Sequence, residues 1–467
     1  MSETINRSLA RCTKFYANHR LLFTIGTFVI VFLMFFVIAW SRLDPDFGWH
    51  LTTGNYILAH HKIPRHDLYT YTAKGHSWVD HEWGSDVILA LTYHLGGYLL
   101  SAVLFALIWA SAIMLIGWKL NPLVLLAGSL AMLPYAGIRP IAWSVLGFAI
   151  CLKLLSGKLN SKLLWLIPIL FAVWANLHAG FIAGLALIAY FAFVKRNRKL
   201  LLILVVSAAA TLANAYGINL YGEVAHTLFD PAIHNQIVEW RTFYILAPSW
   251  PYVLLWFLGF VLYKKISWRK LYDLGLLLFL TVLSASRNMP FFVIGTIPII
   301  GTYWHYIRER FAPQKRSFIS LLFEVAVLMI AICLISDAIY VAFFPYTNRL
   351  STYPVQAVAY LKKNPCSGNL FNSYNYGGYL IWQLPKEPVY IDGRMVTWIG
   401  HMDTYLSIVN HPASNYPGQF KKYDIRCALL QNTARPGSLV AVLEANHWID
   451  KVHGNGSILL LKPDTTK

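Results

Sequence analysis

Residues 21–50 read LLFTIGTFVIVFLMFFVIAWSRLDPDFGWH: an apolar run, then a serine and an arginine, then two acids flanking a proline. A helix needs about 20 apolar residues to cross the hydrocarbon core of a bilayer, so 20–40 reads as a span. A cleaved signal peptide has an apolar core of about 7–15 residues and a small-residue cleavage site. This run is longer and ends Ala39-Trp40-Ser41-Arg42, which makes it a retained anchor. Further apolar runs occupy 99–118, 121–137, 141–155, 162–177, 179–194, 200–216, 250–263, 271–286, 289–304 and 318–343, giving about 11 transmembrane helices. Composition agrees, with 57% hydrophobic and 13% charged residues and a mean hydropathy of +0.50. Soluble domains carry about 25% charged residues. A water-soluble enzyme and a disordered chain are both excluded.

Net charge is +18, which in a soluble protein raises nucleic acid as a partner. Its placement argues otherwise. The connections at 118–120, 153–162, 195–199, 264–270 and 305–316, with the N-terminal segment through Arg20, hold 20 Lys and Arg. Those of opposite parity (41–98, 138–140, 178, 217–249, 287–288) hold 7. The positive-inside rule puts the first set in the cytoplasm. The expected organisation is therefore a cytoplasmic tail (1–19), a transmembrane unit (20–343) with a first outer loop (41–98), and an extracytoplasmic unit (344–467). Cys366 and Cys427 then share the outer compartment, but spacing leaves their pairing open. No cysteine spacing suggests a metal.

The outer loop concentrates chemistry. Six of the chain's 21 acids (Asp44, Asp46, Asp67, Asp80, Glu82, Asp86) lie in 41–86 among tryptophans, tyrosines and histidines. The stretches 50–61 and 84–95 read as short helices lying at the membrane interface. Proline between Asp44 and Asp46 fixes the backbone that carries both acids. Paired acids beside a low-dielectric surface suit proton abstraction or a divalent cation, Mg²⁺ or Mn²⁺. The bland alternative is helix capping by Asp46 and Asp80 inside an aromatic belt. The loop's histidines lack a convincing i, i+4 zinc spacing.

The segments DPDFGWHLTTGNYIL (44–58), IPRHDLYTYT (63–72) and HSWVDHEW (76–83) resemble those of uncharacterised bacterial members of the GT-C glycosyltransferase superfamily. These are polytopic enzymes that use polyprenyl-phosphate-linked sugars. The resemblance implies a GT-C-like helical membrane fold and an inverting glycosyl transfer. In such enzymes an acid early in the first outer loop acts as general base or helps place a metal. That role carries to Asp46 first and Asp44 second, with Glu82 as a further catalytic candidate. The motifs at 372–379 (NSYNYGGY) and 391–394 (IDGR) look like a pattern of the same proteins.

Polar residues at the outer ends of spans supply the expected substrate contacts. Arg139 and Arg287 are placed to bind a lipid phosphate bidentately. His178 breaks a 32-residue apolar run at 163–194, and His81 and Trp83 flank Glu82. Each has a structural alternative, a snorkelling arginine or a helix-turn cap. The loop 217–249 brings Glu223, Glu239, Trp240 and Arg241 to the same side, as a cover for a substrate groove or a structural linker. Asp337 and Glu324 receive no role.

After Pro345 the chain alternates helical and strand-like stretches (VQAVAYLKKN, NLFNS, PVYIDGR, DIRCALLQ, SLVAVLEANH, WIDKVHG, SILLLKP), as in a small α/β domain with a mixed sheet. Asp392-Gly393-Arg394 falls at a strand end or in a turn with an Asp–Arg pair, and the unit reads as an acceptor-binding or docking module apart from the chemistry. The expected protein is a multi-pass cell-membrane glycosyltransferase whose partners are a polyprenyl-phosphate sugar donor, a glycan, lipid or protein acceptor, and the bilayer. Nucleic acid is not among them. The rivals are a transporter or lipid flippase and an inactive envelope scaffold. Transporters often carry internal repeats and a midplane site. Here the sequence has no repeat, and its polar residues gather at one face.

Overall fold

The apolar run before the acid pair folds as one helix, α1 (Arg20–Ser41). The computed structural model describes residues 20–158, 161–230, 233–234, 237–263, 273–310, 350–394, 398, 400–432, 435–454 and 456–463. After α1, Asp44 Oδ1 accepts the Asp46 N–H (2.9 Å) in a tight turn that launches α2 (Phe47–His60). The next helix, α3 (Trp83–Gly117), breaks at Gly96 and at Gly97, whose φ is +63°. Its first half matches the expected short helix and its second half the expected span. Eight more apolar helices follow: α4 (Pro122–Met132), α5 (Ile141–Leu155), α6 (Leu166–Trp174), α7 (Phe181–Val194), α8 (Arg198–Ala210), α10 (Trp250–Tyr263), α11 (Leu274–Ser284) and α12 (Met289–Arg310), with the more polar α9 (Asn219–Phe229) between α8 and α10. Asn121, Asn197 and Asp273 cap α4, α8 and α11 by accepting first-turn N–H groups.

Among the described residues, two helices are long and apolar enough to cross a membrane, Leu21–Ser41 and Trp83–Gly117. Six more apolar helices have 10–17 residues. At 1.5 Å per residue, helices of this size fall short of the ~30 Å hydrocarbon core. Local chemistry shortens them: Pro134 closes α4 in a 3₁₀ turn, and the turns around Asn176–Gly180 and Ser286–Asn288 separate α6 from α7 and α11 from α12. The expected span at 318–343, with Glu324 and Asp337, lies outside the described residues. Large apolar side chains nevertheless face outward, among them Ile169 (63% exposed), Val205 (65%) and Leu254 (60%).

The C-terminal unit comprises α13 (Val355–Lys363), β1 (Asn369–Asn372), α14 (Gly377–Gln383), α15 (His401–Asn410), α16 (Pro412–Lys422), β2 (Ile425–Gln431), α17 (Leu439–Ala445), β3 (Ile449–Gly454) and β4 (Ser457–Leu461). The sheet order is β1-β2-β4-β3, with β1 parallel to β2 and the other pairs antiparallel, so the sheet is mixed as expected. Cys366 and Cys427 form a disulfide. The expected strand at PVYIDGR is not in this sheet. The Asn372 carboxamide takes up its backbone groups instead, donating to Ile391 O (2.8 Å) and accepting from Tyr390 N (2.8 Å). Val389 pairs with the first outer loop, through Tyr71 N to Val389 O and Val389 N to Tyr69 O.

That pairing corrects the picture of a separate docking module. Tyr71 and Thr72 donate to Leu370 O and Tyr390 O, and Tyr353 donates to Leu43 O. The outer loop and the C-terminal unit pack as one body. The same packing buries the Phe47, Trp49, His50, Leu51 and Ile57 face of α2 against protein, chiefly α3 and α14.

Candidate active site

A cavity of about 800 Å³ opens where one end of the helices meets the C-terminal unit. Its polar end is built from short connections: Asp44 and Asp46 after α1, Asp80, His81 and Glu82 before α3, Arg139 before α5, His178 before α7, and Arg287 before α12. Tyr374, Asn375, Gly393 and Arg394 of the C-terminal unit close the same end. An apolar arm runs between α5, α7, α9, α11 and α12, lined by residues such as Phe148, Leu187, Val224, Leu278 and Phe291.

Asp46 stands at the N-cap position of α2, yet its side chain makes no capping hydrogen bond. Its Oδ1 accepts instead from Trp49 Nε1 (3.0 Å). Burial, and the charge of Asp44 beside it, raise the Asp46 carboxyl to about 6, against the opposing pull of His50, Trp49 and Arg139. Asp44 Oδ2 lies 3.1 Å from Arg139 Nε, and Arg139 also grips Glu239 with two hydrogen bonds (2.7 and 3.2 Å). Burial works against the charge on Arg139, but Glu239 and Asp44 outweigh it and hold the guanidinium protonated.

This arrangement tests the expected divalent cation. Asp44 is committed to a backbone N–H and a guanidinium, and Asp46 Oδ1 to an indole N–H. A Mg²⁺ or Mn²⁺ site draws several oxygen ligands around one position. Among the described residues no group of three or more His, Cys, Asp or Glu side chains is arranged to hold a metal ion. The residues as placed do not fit the Asp44–Asp46 metal site.

Glu82 is ringed by imidazoles. His178 Nε2 lies 3.3 Å away, His50 Nε2 3.6 Å and His81 Nε2 3.7 Å. The proton on His178 is deducible: Gly180 N–H donates to Nδ1 (2.9 Å), so Nδ1 is an acceptor and Nε2 carries the hydrogen. Trp174 Nε1 donates to Ser144 Oγ, leaving that hydroxyl to donate to the same Nδ1. Burial drives His178 down to about 3, so it stays neutral with its Nε2 facing Glu82. Burial raises Glu82, but His81 and His50, with Arg287, prevail and hold it below the ordinary value. Behind it, His50 Nδ1 meets buried Asp86 at 2.6 Å. Burial first, then Asp86, push Asp80 well above the usual carboxylate range, and burial with Glu82 does the same to Asp86.

Arg287 stacks over the Trp240 ring at 4.4 Å, and among the described residues no carboxylate closes an ion pair with it. Burial lowers its pKa, with Glu239, Glu82 and Asp46 opposing. Of the two arginines expected at a phosphate, Arg287 is therefore the available one and Arg139 is engaged by carboxylates. Trp83 does not line the cavity; its indole donates to Asn176 Oδ1 (3.0 Å), tying α3 to the turn after α6. The loop placed as a linker supplies Glu239 to the site. Tyr374, Asn375 and Gly393 lay in motifs whose position at the cavity had no local signal.

No protein-family model and no curated protein matches the chain. Among solved structures, the crystal structure of the Archaeoglobus fulgidus oligosaccharyltransferase in its apo form is similar. The TM-score is 0.53 at 13% identity, covering 87% of this chain and 69% of that one. At that identity the likeness is one of fold.

Proposed function

We propose that this chain is a membrane glycosyltransferase of GT-C type. It takes a sugar from a polyprenyl-phosphate-linked donor and transfers it to an envelope glycan, lipid or protein acceptor at the outer face of the cell membrane. The observation that carries the proposal is one cavity joining a carboxyl raised to about 6, a guanidinium that no carboxylate among the described residues pairs with, and an apolar arm. The likeness in fold to an oligosaccharyltransferase supports it.

In this mechanism the Asp46 carboxylate accepts the hydroxyl proton of the acceptor as its oxygen attacks the anomeric carbon. The bond from that carbon to the donor phosphate breaks, its electron pair leaving with the phosphate and inverting the anomeric configuration. Arg287 stabilises the charge that develops there. Asp44 fixes the Asp46 turn and holds Arg139, Glu82 with His178 orients the acceptor, and the apolar arm takes the prenyl chain. No step is routed through a metal. The eleven-span topology belongs to the same proposal, with the described short helices bundled across the bilayer.

The test is mass spectrometry of lipid-linked and envelope glycans in cells with the gene, without it, and with Asp46→Asn. A glycan lost on deletion and not restored by Asp46→Asn is expected. An unchanged glycan profile on deletion, with altered uptake or lipid distribution, would move the chain to the transporter class.

A further inference from the structure

The two glycine motifs of the C-terminal unit converge on one turn of the first outer loop. A Cβ added to Gly393 would collide with Asp46 Oδ1 and lie 2.9 Å from its Cγ. A Cβ on Gly378 would collide with Pro45 O and approach Trp49 Cδ1 to 3.3 Å, and one on Gly48 would collide with Gly378 O. A Cβ on Gly377 would collide with Ile391 O, so the motifs also lock to each other. The Asp44-Pro45-Asp46 turn is held between bare backbone on both sides.

The backbone at Gly393 is itself pinned. Arg394 donates through Nε and NH2 to Asp392 (2.8 and 2.7 Å) and through NH2 to Asp67 Oδ1 (2.9 Å). Its guanidinium lies 4.6–5.2 Å from the ring centres of Trp78, Tyr69 and Trp398. Asp67, Tyr69 and Trp78 belong to the outer loop, so this clasp joins the two units beside the clamp. A buried pair of this kind loses strongly when one partner changes.

We propose that Gly378 and Gly393 are positioning residues: the two glycine motifs form a backbone clamp that seats the Asp46 carboxylate in the cavity wall, with Asp67–Arg394–Asp392 as its fastening. The proposal rests on Asp46 being the general base, and it assigns a catalytic purpose to a unit otherwise read as a docking module. A near-attack geometry is lost through displacements of about 1 Å, which is what an added methyl group imposes here. Asp44, His50, Arg139, Trp49 and Tyr374 are the groups that then meet the displaced carboxylate.

The test uses the purified full chain in lipid nanodiscs. The titration midpoint of Asp46 is read from its infrared carboxyl band, identified by its loss in Asp46→Asn. Gly393→Ala is expected to lower that midpoint by one unit or more, as the carboxylate is pushed out of its buried seat, and to cut glycan restoration in deletion cells at least tenfold. Gly418→Ala, in the same unit with open space around its Cβ position, changes neither. A wild-type midpoint and wild-type restoration in Gly393→Ala overturn the clamp. A shifted midpoint in a protein whose deletion alters no glycan leaves the clamp standing and removes the glycosyl-transfer reading. Should Gly393→Ala not reach the membrane, Arg394→Lys replaces it. It keeps the charge but loses the forked contacts, and an unmoved midpoint there overturns the clamp equally.

Discussion

A carboxyl with a midpoint near 6 is half ionised one unit below neutral pH, which suits it to accept a proton from a hydroxyl. Transfer should therefore rise with pH through about 6, and Asp46→Asn should lose both that limb and at least ~10² of the rate. The sign for stability is the opposite. The folded-state value lies above the ordinary 3.8, so ionisation is disfavoured in the fold. The penalty is absent below about pH 4, grows through about 6 and is complete above it. Asp46→Asn should melt higher than wild type at pH 7.5, the gap closing toward pH 4; a variant that melts lower at pH 7.5 refutes the buried-base environment. Arg287 is tested by its fork. Arg287→Ala should raise the donor KM roughly tenfold or more, and Arg287→Lys should recover only part. Equal donor dependence in all three proteins makes Arg287 structural. Asp46, Glu82, Arg287 and His178, which line one cavity, stand out in the sequence because polar residues are scarce between the apolar runs. The engagement of Arg139 by Glu239 and of Trp83 by Asn176 was not legible there, since those partners lie 100 and 93 residues away.

The long helix α3 breaks at Gly96-Gly97, where Gly97 sits at φ +63°, a region costly for other residues. Helix lengths were less legible. Apolar runs continue through Pro134 and the turn at 176–180, so hydropathy overstates what folds as helix. Contact between elements was invisible, because nothing local to Gly48 or Gly54 says that another backbone touches it. Gly54 of α2 is the cleaner probe: its Cβ would collide with Asp86 O and come within 2.8 Å of Ala90 Cβ, whereas nothing lies within 4 Å of a Cβ on Gly26 in α1. Gly54→Ala should therefore destabilise the purified protein by about 1–3 kcal/mol or more through overpacking, and Gly26→Ala should be neutral or slightly stabilising through helix propensity. Equal melting temperatures for the two variants would show that α2 and α3 are not in backbone contact.

At the scale of the whole molecule, two independent observations bear on orientation. The first is charge parity, 20 Lys and Arg on one set of connections against 7 on the other, from which the positive-inside rule predicts 344–467 outside. The second is the Cys366–Cys427 disulfide within that unit, a bond that persists in oxidising compartments and is rare in the cytosol. The bond closes a stretch with a sequence separation of 61, for which chain entropy alone assigns roughly 4 kcal/mol of stabilisation. Because Gly378 and Gly393 both lie in the unit it staples, its loss should reach the site. Two measurements follow from one premise. A periplasm-active reporter fused after Lys467 should be active, and a membrane-impermeant maleimide should label Cys366 and Cys427 in intact cells only after reduction. Cys366→Ser should lower the melting temperature and weaken glycan restoration together, since the acid pair and the C-terminal unit form one wall. A reporter active only in the cytoplasm, or both thiols found free in cells, would invert the topology and remove the proposed chemistry from the face where its donor is presented.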